Sequence, residues 1–133
     1  GNIIQTDYFT SGTVNVYEGG YSNNQWNGEG KLTCAYQTGD YSKTIYEGKW
    51  TNNVLSGTIK ETLYYTNEDV VVYQGGFIKN SWNGKAKLTI SYKTGNIYQR
   101  EMEGNYQDGT KIGTFHFTDY YQNGEVKQYD LKY

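Results

Sequence analysis

The chain has 133 residues, with 12 basic and 14 acidic side chains that give a formal net charge of −2. This length fits one domain covering residues 1–133, and the evenly spread charges offer no basic run for nucleic acid. No apolar stretch approaches the roughly 18 residues of a membrane helix, so we expect a soluble chain, cytoplasmic or secreted. The first residue is Gly1 rather than Met, and any signal peptide would precede it.

The composition indicates strands and turns. The chain contains 16 Tyr and 17 Gly but no Pro, whereas disordered chains contain few aromatic residues. Aromatic and β-branched residues separated by glycine are typical of β-strands joined by tight turns. Cys34 is the single cysteine, which excludes an internal disulfide.

Five short turn motifs divide the chain at regular intervals. In chain order they are FTSG (9–12), YQTG (36–39), YTNE (65–68), YKTG (92–95) and YQNG (121–124). Four of them end in glycine, which accepts the positive φ of tight hairpin turns. Their even spacing predicts a repeated hairpin of about 28 residues.

Four similar units alternate with these turns, and they begin near Tyr17, Tyr46, Tyr73 and Met102. Each unit has glycine two positions after its first residue, an aromatic residue after four positions and glycine after eleven. The closest match joins alternate units, since YEGGYSNNQWNGEG (17–30) is followed 56 positions later by YQGGFIKNSWNGKA (73–86). Partial units are expected at both ends of the domain.

Small and apolar residues alternate with polar ones along the returning arm of each hairpin. Because side chains alternate sides along a strand, these residues should share one inward face. The predicted inward rows are Gly28, Gly30, Leu32, Cys34, Tyr36; Gly57, Ile59, Leu63, Tyr65; Gly84, Ala86, Leu88, Ile90, Tyr92; and Gly113, Phe115, Phe117, Tyr121. We interpret the glycines as clearance for aromatic rings lying across the sheet. The predicted fold is all-β: a single elongated, curled antiparallel sheet of successive β-hairpins with about 9–10 strands.

The order of residues in units 17–30, 46–59, 73–86 and 102–115 resembles the MORN repeat. The C-terminal stretch GTFHFTDYYQNGEVKQY (113–129) resembles a bacterial MORN variant found in an antitoxin-like family. The resemblance implies an elongated, curved sheet of hairpins that serves as an interaction, dimerisation or membrane-proximal scaffold. Membrane lipid is not an expected partner, because the basic residues do not cluster.

The opposite face is predicted to be polar but carries apolar residues at regular intervals. They are Tyr8, Val14, Val16, Tyr64, Val70, Val72, Tyr120 and Val126. Similar positions recur every four strands, or about 19 Å, which suggests a stripe that binds a partner. The alternative is that these residues pack locally. Trp26 and Trp82, near the hairpin ends, are further candidates for exposed aromatic residues.

The sequence offers no pattern for catalysis. His116 is predicted to point to the polar face and Cys34 to the inward face, so they can build neither a zinc site nor a Cys–His pair. The carboxylates of Glu18, Glu47 and Glu103 recur with the repeat, as expected of a solvated face. No carboxylate was found to break the repeat symmetry, and no enzyme activity, metal or cofactor is expected.

The first functional hypothesis is a non-enzymatic protein-interaction or scaffold module whose partner is another protein or a second copy of the chain. A second is an antitoxin or immunity protein that binds a toxin, based on the C-terminal resemblance. A third is a carbohydrate- or cell-surface-binding module that stacks sugars on exposed aromatic rings.

Overall fold

The computed structural model describes all 133 residues, and ten strands form a single open antiparallel sheet. Each strand pairs with its neighbours in chain order. The strands are β1 Asn2–Tyr8, β2 Val14–Ser22, β3 Gln25–Ala35, β4 Tyr41–Thr51, β5 Val54–Tyr65, β6 Val70–Ile78, β7 Ser81–Ser91, β8 Ile97–Gln107, β9 Thr110–Tyr121 and β10 Val126–Lys132. The predicted all-β sheet of successive hairpins is confirmed. The structure contains no helix long and apolar enough to cross a membrane.

Four two-residue turns lie along one edge of the sheet and join β2–β3, β4–β5, β6–β7 and β8–β9. Both residues of each turn have positive φ, as a type I′ hairpin turn requires. The turn residues are Asn23–Asn24, Asn52–Asn53, Lys79–Asn80 and Asp108–Gly109. Asparagine, aspartate and glycine tolerate this conformation best, so the local sequence directly specifies the hairpins.

Longer turns lie along the opposite edge, where the five turn motifs were predicted. Each ends in a residue with positive φ, and this residue is glycine in four of the turns. The exception is Glu68, with φ 75°. A residue with a side chain is strained at positive φ. We therefore expect Glu68 to lower the stability of the fold relative to glycine at this position.

The inner face of the sheet is built from cross-strand rows of apolar side chains. One row runs directly across eight strands through Tyr17, Leu32, Tyr46, Glu61, Tyr73, Leu88, Met102 and Phe117. Tyr17, Tyr73 and Phe115 are fully buried. A single sheet buries these rings because they pack against one another and over glycine positions of the neighbouring strands.

Two kinds of glycine support this packing. A Cβ at Gly30 would lie 2.5 Å from Tyr17 Oη, and one at Gly104 would lie 2.5 Å from the Phe115 ring. The interpretation of glycine as ring clearance is confirmed at these positions. It is wrong for the glycine eleven positions into each unit, where a Cβ would meet no aromatic ring. All four of these glycines have positive φ, from +69° to +106°, and lie at register irregularities, so the backbone conformation requires them: Gly28, Gly57, Gly84 and Gly113.

The outer face carries a row of alternating charges. Its members are Glu18, Lys31, Glu47, Lys60, Gln74, Lys87, Glu103, His116 and Asp130, each directly opposite the next. Opposite charges facing each other across strands stabilise a sheet by about 0.2–1 kcal/mol a pair. The repeated carboxylates therefore lie on the solvated face, as predicted, directly opposite basic side chains of the neighbouring strands.

Candidate functional site

A groove of ≈ 620 Å³ lies on the inner face. We call it the aromatic groove, because Trp26, Tyr46, Trp50, Phe77 and Trp82 line it together with Glu61. Its walls come from five successive strands, β3 to β7, and a groove lined from both β3 and β7 makes this face of the sheet concave. Its volume lies within the range of about 300–1,000 Å³ found for ligand sites.

Two sets of three aromatic rings pack along the groove. The first triad is Tyr17, Trp26 and Trp50, and the second triad is Tyr73, Trp82 and Tyr106. Tyrosine and tryptophan stack at 4.2 Å in the first triad and at 4.3 Å in the second. The third ring meets the tryptophan edge-on at 5.3 Å in both. All three positions recur 56 residues later, so the structural repeat is a pair of hairpins.

The two-residue turn of the next hairpin holds Trp26 in place. The Trp26 backbone N–H donates to Asn53 Oδ1 at 2.8 Å, and the Asn53 N–H donates to the Trp26 carbonyl at 3.0 Å. At the second tryptophan, the Gly109 N–H donates to the Trp82 carbonyl at 2.9 Å. The two-residue turn of the next hairpin therefore holds the backbone of each tryptophan.

The indole N–H groups of the two triads have different acceptors. Trp26 Nε1 donates to Gln5 Oε1 at 3.2 Å, and Trp82 Nε1 donates to Glu61 Oε1 at 3.0 Å. Gln5 and Glu61 are also 56 residues apart, so they occupy the same place in successive repeats. The first triad is closed by a neutral amide and the second by a carboxyl group.

Glu61 is the single charged residue that lines the groove. It is 7 % exposed, its one hydrogen bond comes from Trp82, and no Lys or Arg forms an ion pair with it. Burial raises the pKa of the Glu61 carboxyl, and the Trp82 hydrogen bond opposes the rise. Buried carboxylates are normally paired, so Glu61 is an exception that needs an explanation.

The phenols opposite Glu61 across the strands belong to Tyr46 and Tyr73. Burial, with a smaller contribution from the Glu61 charge, raises the pKa of each to about 12. Both phenols are therefore neutral at physiological pH. The lining of the groove also contains no basic side chain that could pair with Glu61.

Glu61 is a residue of the groove that was not predicted from the sequence. It lies in the inward row of β5, where the other units have Leu32, Leu88 and Phe117. The conclusion that no carboxylate breaks the repeat symmetry was wrong. The signal was present as a charged residue at a position that is apolar in the three other units.

A second buried carboxylate shows what full pairing looks like. Asp119, on the inner face of β9, accepts from Arg100 at 2.6 and 3.1 Å and from the Tyr129 hydroxyl at 2.9 Å. Arg100 holds the pKa of Asp119 below its usual range. This cluster satisfies its own charges and joins the last three strands, so it has a structural role.

The apolar residues predicted for the outer face do line up there. Tyr8 lies directly opposite Val14, Tyr64 opposite Val70, and Tyr120 opposite Val126. Val16 and Val72 lie one row further along the same face. We call these eight residues the outer stripe. Its most exposed member is Tyr8, at 80 %, and its role in partner binding stays a prediction.

The other predicted residues lie as follows. Trp26 and Trp82 are half-buried against the core rather than fully exposed, since each stacks on a tyrosine. Cys34 is buried, whereas His116 lies on the outer face with its Nδ1 2.7 Å from Asp130. No group of three or more His, Cys, Asp or Glu side chains could hold a metal ion.

Comparison with known families identifies repeats in the N-terminal half. The model of the MORN repeat family matches residues 17–35 and 46–58. No curated protein matches the chain. These two segments are therefore similar to MORN repeats, and they fall on the first two units of the sequence repeat. The matched residues do not include 113–129, so the antitoxin-like resemblance of that stretch is not confirmed.

Proposed function

We propose that this chain is a non-enzymatic protein-interaction module that binds a segment of a partner protein in the aromatic groove. The observation that carries the proposal is a concave site in which two repeats present tryptophan and tyrosine rings to solvent. Such residues contribute most of the binding energy at protein interfaces when they lie in a pocket. The groove holds one carboxylate, whereas glycoside hydrolysis uses two.

We propose the outer stripe as a second contact surface, for the same partner or a second copy of the chain. Its Tyr–Val pairs recur every four strands, or about 19 Å. Substitution of Tyr64 by Ser together with Val72 by Thr removes the central part of the stripe. If self-association and partner binding are unchanged while the fold persists, the stripe has no binding role.

The groove is tested with a matched pair of variants. Val54 and Ile78 lie beside two-residue turns and are 55 % and 56 % exposed, but only Val54 lines the groove. Peptides selected from a random display library on the wild-type protein are compared on Val54→Asp and Ile78→Asp. We expect affinity to fall about tenfold on Val54→Asp and to change little on Ile78→Asp. If no selected peptide distinguishes the two variants, the groove is not the binding surface.

Carbohydrate binding is the second candidate function, favoured by the three tryptophans in the groove wall. Titration with peptidoglycan or glucan, followed by tryptophan fluorescence, separates it from peptide binding. An absence of signal would argue against sugars.

A toxin-blocking protein is one form of the proposed function. It rests on the resemblance of residues 113–129, and a toxin gene beside this one would support it.

A further inference from the structure

We propose that the aromatic groove recognises a lysine side chain of the partner, with the lysine ammonium seated against Glu61. This inference deepens the proposed function and rests on it, because it takes the groove as the partner-binding surface. It names the group that the groove accepts.

Glu61 carries a charge without a partner in the folded chain. Glu61 is more than nine-tenths buried and lines the groove, yet Trp82 Nε1 is its single hydrogen-bond donor. An ionised carboxylate in this position lacks both a positive partner and most of its hydration. An ammonium group entering the groove would supply donors and charge together.

The first repeat manages the same packing without a charge. Gln5 makes the same hydrogen bond to Trp26 that Glu61 makes to Trp82, so a neutral amide is sufficient to hold the tryptophan. The ring stacking is also the same in both triads. The negative charge at Glu61 therefore serves no packing need that the first repeat does not meet without it.

The aromatic lining of the groove suits an alkylammonium group. The N–H groups of Trp26, Trp50 and Trp82 are all used within the protein, so the rings have no free donors. Aromatic faces attract alkylammonium groups and pack against the methylene groups that carry them. The combination of such rings with one carboxylate matches a lysine side chain.

A sugar fits the lining less well. Sugar hydroxyls are neutral, so a bound sugar would leave the buried Glu61 carboxylate without a positive partner. Glu61 is too isolated to form a metal site. The charge and apolar lining therefore favour an organic cation over either alternative.

The test uses three probes with one skeleton: N-acetyl-lysine methylamide, its Nε-trimethyl derivative and its Nε-acetyl derivative. The readout is the ¹⁵N–¹H NMR signal of the Trp82 indole, whose N–H donates to Glu61. We expect the two charged probes to shift this signal with saturation, and the neutral acetyl probe to bind about tenfold more weakly or not at all. The inference is overturned if the acetyl probe binds as well as lysine, or if neither charged probe binds.

Glu61→Gln is the decisive variant, because Gln5 shows that the fold accepts glutamine at this place in the repeat. We expect it to weaken binding of the charged probes about tenfold, whereas Glu47→Gln on the outer face should change it less than about twofold. Binding should also weaken as the pH falls and Glu61 is protonated. The titratable groups facing Glu61 are the phenols of Tyr36, Tyr46 and Tyr73, none of which ionises in that range. Equal affinity of wild type and Glu61→Gln would overturn the inference.

The two proposals fail in different ways. If display selection yields groove-dependent peptides without lysine, and these bind Glu61→Gln equally well, the lysine inference fails and the proposed function stands. If charged probes bind at Glu61 but no groove-dependent peptide is selected, the proposed partner-protein function fails, and with it the assignment of the lysine to a partner. Groove-dependent peptides whose lysine cannot be replaced by norleucine would support both.

Discussion

The two aromatic triads have the same geometry but differ in the residue that closes them. Tyrosine stacks on tryptophan at nearly the same distance in each, and the acceptor for the indole is Gln5 in one and Glu61 in the other. The repeat therefore conserves packing within this chain while charge varies at one position. Because the packing is the same in both triads, function explains the charge at Glu61 better than packing does.

The largest expected effect tests whether the triads are equivalent in stability. Tyr17 and Tyr73 are both fully buried, so each change to Ala should lower the free energy of unfolding by about 3–4 kcal/mol. Urea denaturation measures both values, and Tyr8→Ala, at an exposed position, should cost less than about 0.5 kcal/mol. A difference above about 1 kcal/mol between the two buried variants would show that the triads are not equivalent.

A second comparison concerns two glycines that are 56 residues apart. A Cβ at Gly104 would lie 2.5 Å from the Phe115 ring, whereas one at Gly48 would lie 3.1 Å from its nearest neighbours, Leu55 and Ile59. We expect Gly104→Ala to destabilise the protein by about 2 kcal/mol and Gly48→Ala by less than about 1 kcal/mol. Thermal unfolding of both variants checks the order, and a reversed order would contradict the role of glycine as ring clearance.

A third experiment exchanges the closing residues. Because burial raises the folded-state pKa of Glu61, the folded protein binds its proton more tightly than the unfolded chain. The ionised side chain therefore lowers stability as the pH rises through that pKa. We expect Glu61→Gln to stabilise the protein by about 1 kcal/mol at pH 8, with little difference near pH 4.

The reverse exchange, Gln5→Glu, should show the opposite dependence on pH. Denaturation of wild type and the two variants across this pH range measures the effect. A constant difference between wild type and Glu61→Gln at every pH would exclude ionisation of Glu61 as its cause.

The smallest expected effect concerns the longer turns. Glu68 has φ 75° where the equivalent residues are glycine. Glu68→Gly should stabilise the protein by about 0.5–1 kcal/mol, because glycine adopts this conformation without strain. Glu68→Ala also removes the exposed ion pair with Lys93 but keeps the strain, so it is the control. Equal stability of the Gly and Ala variants would show that backbone strain is not involved.

Most of the fold could be predicted because the information is local. Turn residues fixed the hairpins, and the alternation along each returning arm placed Leu32, Leu88 and Phe117 on the inner face. The groove could not be predicted, since its walls come from strands that are distant in sequence and its shape depends on the curvature of the sheet. The bond from the Trp26 N–H to Asn53 likewise joins residues 27 positions apart, which no local pattern indicates.

Glu61 is a different case, because its position in the inward row was readable. A repeat pattern consists of what its units share. A residue such as Glu61, which differs from the other units, therefore lies outside the pattern that predicts the fold. The interpretation of the glycines at positions 28, 57, 84 and 113 as ring clearance was wrong for a related reason. Sequence alone does not separate a glycine needed for space from one needed for its φ.

The hydrogen bonds between each tryptophan and the turn of the next hairpin also restrict the motion of the sheet. A hairpin tied to the next hairpin cannot open alone, so exchange of the Trp26 and Asn53 amide protons with solvent should require both to separate. The wall of the groove around Trp26 is thus held in place before a partner binds. Little ordering entropy would then be lost on association, which allows even a shallow contact to be selective.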